Sequence, residues 1–370
     1  MPGVFTRRIL AAGALALAAA TAPLAAASAE DMKLIISSAL PQKHMWVGQH
    51  MDPFADGIEK ATDGRIAFDR YYAGELVSVG REYDGLTGHT IDVSAPFLAP
   101  YQEGIFPLSD VSQLPTLGTD SPMITRAFQK LLDSDVALQD GKTFYQLELT
   151  DNGLVGWPLG ASQPYAISTT GKVLDDPSDF QGLPARAGAT LHVIGVEQLG
   201  ATSVYMPAAE AYEALSRGTI EGILLSIGDW RSYSVQELLK YTITGINMGS
   251  WESYLAIRQD TWDEMPDDLK KIWDQTARQA ALDNAAYVVK QDEIMIDEAK
   301  KDYGAQFVDV KTLSPEMQAH MAQAATNTWK VWIDKMEEQG EPGLATAQLW
   351  AKLITAEGGQ LPDGVDKILQ

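Results

Sequence analysis

The chain has 370 residues, 50 acidic against 28 basic side chains, a formal net charge of −22, and no cysteine. So acidic a surface repels phosphate backbones and anionic lipid, which argues against nucleic-acid or polybasic membrane contact. The missing cysteine removes disulfides, thiolate metal sites and cysteine nucleophiles, so the apolar core alone must hold a chain long enough for about two domains.

Arg7 and Arg8 precede an uncharged Ala/Leu-rich stretch ending in Ala27-Ser28-Ala29, the pattern of an export signal cleaved after Ala29. Pro23 and the many alanines weaken the alternative of a retained anchor. Thr6-Arg7-Arg8 leaves Sec and twin-arginine export open. Loss of residues 1–29 removes two arginines and no acid, for a mature charge of −24. The acids are dispersed along the chain, as solubility or salt adaptation requires.

Leu34-Ile35-Ile36 reads as a buried strand; Val47, Met51, Phe54 and Ile58 then recur at helical spacing, with Pro53 inside the pattern and Asp63-Gly64 as its stop. Arg65–Tyr71 alternates as a half-buried strand, Arg81–His89 is predicted helical, and Ile91–Ala95 is a short strand. A Pro-punctuated loop leads to a helix near Met123–Ser134. Leu147–Leu149 and Leu154–Trp157 are strand candidates, and Ala166–Thr169 and Leu191–Val196 flank a loop. Ala208–Arg217 forms an amphipathic helix closed by Gly218. Pro266 opens a long helix toward Tyr303 that Gly304 stops, and Ser314-Pro315 and Leu344–Ile354 begin and contain further helices. Helices alternating with short apolar strands make an α/β protein, and the Pro266 helix is long enough to run along two lobes.

Catalytic signatures are missing. Gly141-Lys142-Thr143 and Gly171-Lys172 lack the earlier glycine of a phosphate loop, because Val136 and Ala166 stand there. There is no G-x-S-x-G turn, and the five histidines (His44, His50, His89, His192, His320) never pair at the i, i+4 spacing of a zinc helix. Close Asp/Glu pairs are too common among 50 acids to mark a site, and no carboxylate cage for a metal is readable. No cofactor is expected and no metal ligand is singled out, which leaves open whether a metal ion assists binding.

One basic residue stands out, Arg186 in Gly182-Leu183-Pro184-Ala185-Arg186-Ala187-Gly188. A guanidinium offers a planar fork that matches a carboxylate and keeps its charge when buried. The competing reading is a structural arginine paired with Asp176 or Asp179.

This segment resembles the signature D-x-x-G-[LM]-[KR]-x-R of the DctP-type solute receptors of TRAP transporters, here Asp179-Phe180-Gln181-Gly182-Leu183-Pro184-Ala185-Arg186. Pro184 replaces the usual basic residue. Glu210 to Gly222 resembles the family's E-x-Y-x-A-L-x-x-G-x-x-D-G segment, with Glu221 for aspartate. Thr62-Asp63-Gly64-Arg65, Gly74-Glu75-Leu76, Gly88-His89-Thr90-Ile91-Asp92 and Leu114-Pro115 are similar to further family segments in the same order.

The resemblance implies a two-lobe periplasmic binding protein with crossing strands and a long lobe-spanning helix. Residues 30–152 with part of 243–265 would form the first lobe, 153–242 with part of 266–310 the second, and 311–370 C-terminal helices. It implies a periplasmic receptor in which Arg186 salt-bridges a small organic carboxylate, with TRAP membrane permease subunits as partner and no membrane insertion after signal cleavage. Two departures bear on the ligand: Tyr165 stands where sugar-acid receptors carry a second arginine, and Glu221-Gly222-Ile223-Leu224-Leu225-Ser226 replaces the family's polar D-G-Q-E-N-P. The expected ligand is therefore a monocarboxylate, a 2-oxo, 2-hydroxy or aromatic/apolar acid, met by Arg186 and Tyr165. Phe97, Trp46, Ser226, Leu225, Trp230 and Trp251 are candidates to line the cleft. Competing functions are an exported hydrolase or lyase acting on a small acid, which lacks a nucleophile motif, and an ABC-type or sensory binding protein.

Overall fold

The computed structural model describes residues 32–102 and 104–370, with Met1 and Gly3; the predicted export segment otherwise lies outside the described residues. The described strands are β1 (Met32–Ser37), β2 (Ile66–Tyr71), β3 (Val93–Phe97), β4 (Ala137–Gln139), β5 (Lys142–Thr143), β6 (Leu154–Pro158), β7 (Ala166–Thr169), β8 (Pro184–Ala187), β9 (Thr202–Tyr205), β10 (Gly222–Leu225), β11 (Tyr241–Thr244), β12 (Tyr254–Arg258) and β13 (Gln306–Asp309). Apart from the β4–β5 hairpin they build two sheets, ordered β2-β1-β3-β12-β6 and β13-β11-β7-β10-β8-β9. In the first, β1 runs parallel to β2 and β3, and β12 antiparallel to β3 and β6. In the second, β8 runs parallel to β9 and β10, and β7 antiparallel to β10 and β11. Most strands are buried on both faces, which is why they read as short apolar runs and not as alternating ones.

The chain leaves the first sheet after β6 and returns to it after β11. These two passages lie side by side: the amides of Leu159, Ser162 and Tyr165 donate to the carbonyls of Ser253 (3.0 Å), Trp251 (2.8 Å) and Gly249 (2.7 Å). Glu252 ties them further, its Oε1 accepting from the amides of Leu159 (3.1 Å) and Ser253 (3.0 Å). A third connection is the helix Asp267–Tyr303, which starts beside the first sheet and delivers β13 to the second. Its 37 residues span about 55 Å. Pro266 caps it and Gly304 ends it at φ 67, a left-handed conformation that a side chain disfavours. Its buried stripe packs Trp273 on Phe54 (5.0 Å between ring centroids) near one end, while Asp292 accepts from the Gly228 amide (2.8 Å) of the second sheet's loops near the other.

Several local expectations shift. Pro53 lies inside a continuous helical run: residues 45–46 are helical, a wider π-turn follows at Val47–Met51, and the helix Asp52–Ala61 continues from it, so the irregular turn falls just before the residue that has no N–H to donate. Leu147–Leu149 is not a strand, because Thr143 and Gln146 form a reciprocal capping box that starts the helix Phe144–Glu148. Leu191–Val196 lies within the helix Thr190–Gln198. The strand expected at Ile91–Ala95 is displaced to Val93–Phe97. Residues 154–158, assigned above to the second lobe, pair with β12 in the first sheet, so the passage between sheets comes at 159–165 and not at 152/153.

The two large C-terminal helices, Pro315–Glu338 and Gly343–Ala356, bury Trp329, Trp332 and Trp350. Trp329 Nε1 donates to Pro115 O at 2.8 Å, fixing them to the first lobe's long loop. No helix among the described residues is long and apolar enough to cross a membrane.

Candidate functional site

Parallel strands leave their carboxyl ends, and the loops that follow, free to form a crevice. Here the loops after β1 and β3 supply Leu40, Trp46, Leu98 and Tyr101 to one wall of a cavity; Val79 joins them from the loop after β2. The opposite wall is Arg186 from β8, Pro207, Ala208 and Ala209 after β9, and Tyr233 from the short helix after β10. Tyr165 and Trp251, one from each passage between the sheets, complete the lining. The walls stand close together in this conformation and leave a cavity of about 30 Å³, room for little more than a water molecule.

Arg186 is 1% exposed and pairs in register with Ile223 and Val204 between β10 and β9. Its Nε donates to Met206 O (3.1 Å), Nη1 to Leu224 O (3.2 Å) and Nη2 to Tyr101 Oη (3.5 Å), the last across the cavity. No carboxylate of the described residues forms an ion pair with it. Asp179, the competing partner, instead accepts from the amides of Asp175 (3.0 Å) and Asp176 (2.9 Å), and Asp176 caps the same turn through Ser178. The guanidinium also lies against Gly188, where an added Cβ would stand 2.1 Å from Nη2 and 2.6 Å from Cζ. That glycine is needed for the close approach and not for a turn.

Three phenols accompany the guanidinium. Burial, then Asp229, pushes the Tyr165 and Tyr233 hydroxyls well above the usual phenol range, and burial raises Tyr101 as well, so all three remain protonated donors. Behind them the His192 ring lies tilted against Tyr165 (4.7 Å between centroids), and its Nε2 donates to Ser250 O (3.0 Å), because a carbonyl can only accept. Burial, then Arg186, holds His192 down to about 3, hence neutral. Asp229 is pushed up to about 7 by burial; its Oδ2 accepts from Ser226 Oγ (3.0 Å). No group of three His, Asp or Glu among the described residues is placed to hold a metal.

Of the residues singled out from sequence, Arg186, Tyr165, Trp46 and Trp251 line the cavity. Trp46 is fixed by its Nε1 bond to Gly160 O (3.0 Å) and Trp251 packs on Tyr101 (5.1 Å). The other four do not. Phe97 packs on Phe106 (5.1 Å) and Tyr254 (6.3 Å) in the first lobe's core, because strand alternation sends it away from its neighbour Leu98, which does reach the cavity. Trp230 stacks on Phe307 of β13 (5.8 Å), and it is Tyr233, three residues on, that faces the cleft. Ser226 is engaged with Asp229, and Leu225 is a core residue of β10; the group on this strand that serves the site is the Leu224 carbonyl. Tyr101, Tyr233 and His44 were not foreseen, since each sits on a loop or short turn with no periodic signal.

Residues 36–337 match the family model DctP, bacterial extracellular solute-binding protein, family 7. A "Solute-binding protein" of Albidiferax ferrireducens is 23% identical over 80% of this chain and 85% of its own length. Among solved structures, a marine metagenome TRAP solute-binding protein specific for aromatic acid ligands, in complex with metahydroxyphenylacetate, superposes with a TM-score of 0.76 at 20% identity, covering 88% of this chain and 99% of that one. A TRAP periplasmic solute-binding protein of Bordetella bronchiseptica with bound (R)- and (S)-mandelate gives 0.72 at 21% identity, with 88% and 99% covered. Other similar structures hold pyroglutamate or β-D-galacturonate, so one scaffold carries acids of differing polarity.

Proposed function

Because the chain belongs to the DctP family of bacterial extracellular solute-binding proteins, family 7, we propose that it is the periplasmic receptor of a TRAP transporter that holds a small organic monocarboxylate between its lobes and delivers it to the membrane permease. The family's receptors bind solute without transforming it. The observation that carries the ligand class is a guanidinium, 1% exposed, that has no ion-pair partner among the described residues yet lines a cavity. A buried charge in that position is satisfied by an anion brought in from outside, and the planar fork suits a carboxylate.

The rest of the lining limits the anion. Arg186 is the sole cation among the described lining residues, which leaves a second carboxylate without a partner. Leu40, Trp46, Val79, Leu98, Pro207 and Trp251 suit an apolar or aromatic body, and the phenols of Tyr101 and Tyr165 supply neutral donors beside the guanidinium. The aromatic acids held by two of the structures above agree with that lining. In this reading, closure swings the two sheets together about the paired passages at 159–165 and 245–253, and the ligand favours the closed form by touching both walls.

Titration calorimetry of the purified protein against benzoate, phenylacetate, mandelate, pyroglutamate, succinate and glucuronate tests the proposal. An aromatic monocarboxylate is expected to bind, and tight binding of succinate or glucuronate alone would overturn the ligand class. A Gly188→Ala protein is expected to bind the best acid at least about ten-fold more weakly while melting within a few degrees of wild type, because the new methyl displaces the guanidinium from its carbonyl partners. Unchanged affinity there would show that the exact seat of the guanidinium is irrelevant to binding.

A further inference from the structure

Tyr233 lines the cleft and meets His44, which stands outside the lining on the loop after β1 that supplies the other wall, His44 Nε2 lying 2.9 Å from Tyr233 Oη with the rings edge to face at 5.3 Å. The direction of this bond is determined by its surroundings. The Trp46 backbone N–H donates to His44 Nδ1 (3.3 Å), so Nδ1 carries the lone pair. Burial holds the imidazole down to about 3, which makes it neutral, and its one proton therefore sits on Nε2. Nε2–H donates and Tyr233 Oη accepts.

The phenol keeps its own proton, since burial and then Asp229 push it well above the usual range. With Oη already occupied by the imidazole donor, that proton needs an acceptor elsewhere. His44 is the one hydrogen-bond partner of Tyr233 among the described residues, and Tyr233 lines the cavity. Arg186 directs its own cross-cleft bond to Tyr101, not to Tyr233. The molecule thus presents a half-buried, oriented O–H donor in addition to the guanidinium.

We propose that the His44–Tyr233 pair forms a second polar subsite that reads an acceptor oxygen on the ligand other than its carboxylate, so that the receptor selects hydroxy or oxo acids over the same acids lacking that oxygen. Tyr233 touches the ligand, and His44 is a positioning residue that prevents the phenol from turning its lone pair inward. The inference rests on the carboxylate reading given above. A site built around an oriented donor rejects the analogue that cannot accept from it, because the donor is then left buried and unpaired.

The test compares phenylacetate with mandelate and phenylglyoxylate, which add a hydroxyl or an oxo group beside the carboxylate, by calorimetry on wild type, Tyr233→Phe and His44→Ala. Wild type is expected to prefer the better oxygenated acid by at least about ten-fold, and both variants to bring that ratio close to one. Using a ratio within each protein separates recognition from any general loss of closure or stability, which weakens all three acids alike. Equal wild-type affinity for the three acids, or a ratio that survives Tyr233→Phe, overturns the subsite while leaving the carboxylate reading intact. Failure of all three and of benzoate to bind overturns the carboxylate reading and this inference with it.

Discussion

Arg186→Met is expected to abolish acid binding in calorimetry, a loss of about 2–5 kcal/mol or roughly 30- to 5,000-fold, while the ligand-free protein melts no more than a few degrees from wild type. The reasoning follows from what the guanidinium touches. Its hydrogen-bond partners are two carbonyls and one hydroxyl, all neutral, so the folded state has borne the desolvation of a cation with no carboxylate in contact, Asp229 acting on it only at longer range. Methionine fills most of the same volume without that cost, offsetting the loss of donors to the Met206 and Leu224 carbonyls. Only the acid complex then loses an ion pair. A structural arginine would behave in the opposite way, with collapse of the melting temperature; that result, or retained affinity in a folded variant, would remove Arg186 from the site.

Stability should fall as pH rises from about 6.5 to 8.5. Burial pushes Glu148 and Glu252 each up to about 8, and Glu82, Asp110 and Asp229 up to about 7. In the unfolded chain these acids ionise at about 4. Between the two values the folded state holds protons that the unfolded state has released, so the stabilisation is full below the unfolded pKa and is lost as pH climbs through the folded one. For Glu148 or Glu252 the span corresponds to several kcal/mol, on the order of 3–5. His44, His50 and His192, held down to about 3 by burial, contribute with the opposite sign, but their contribution is complete above the unfolded value of about 6.5. Above that pH the acids alone set the slope.

Melting temperatures recorded across this range at constant ionic strength check the expectation. Glu252→Gln and Glu148→Gln should each flatten the curve. Glu252 is the more informative, since its Oε1 joins the two passages about which the lobes would move and its Oε2 is buried without a partner. A level wild-type profile would mean that these carboxylates are ionised in the folded protein.

The α/β class and the long helix from Pro266 to Gly304 were legible because each has a local cause; Arg186 stood out by its type and flanking glycines, but its reading as a ligand contact came from the family resemblance. Apolar runs bounded by turn residues, a proline and a glycine at opposite helix ends, and one cation in an apolar, glycine-flanked strand are all written in neighbouring residues. Phe97 and Trp230 were misjudged for a shared reason: aromatic type is visible in sequence, but the wall toward which it points depends on strand alternation and helix phase. In both cases the true lining residue lies close by, at Leu98 and Tyr233.

Sequence by itself determined composition, secondary structure in its strongly periodic parts, and the presence of one arginine in an apolar, glycine-flanked segment, with Asp176 and Asp179 close enough in the chain to compete for it. Tertiary structure alone decided that Arg186 has no ion-pair partner among the described residues, that Leu154–Pro158 belongs to the first sheet, and that His44 meets Tyr233 although 189 positions separate them. Such pairings arise where loops from two sheets converge, and a loop's position is set by the strands that carry it and not by its own residues.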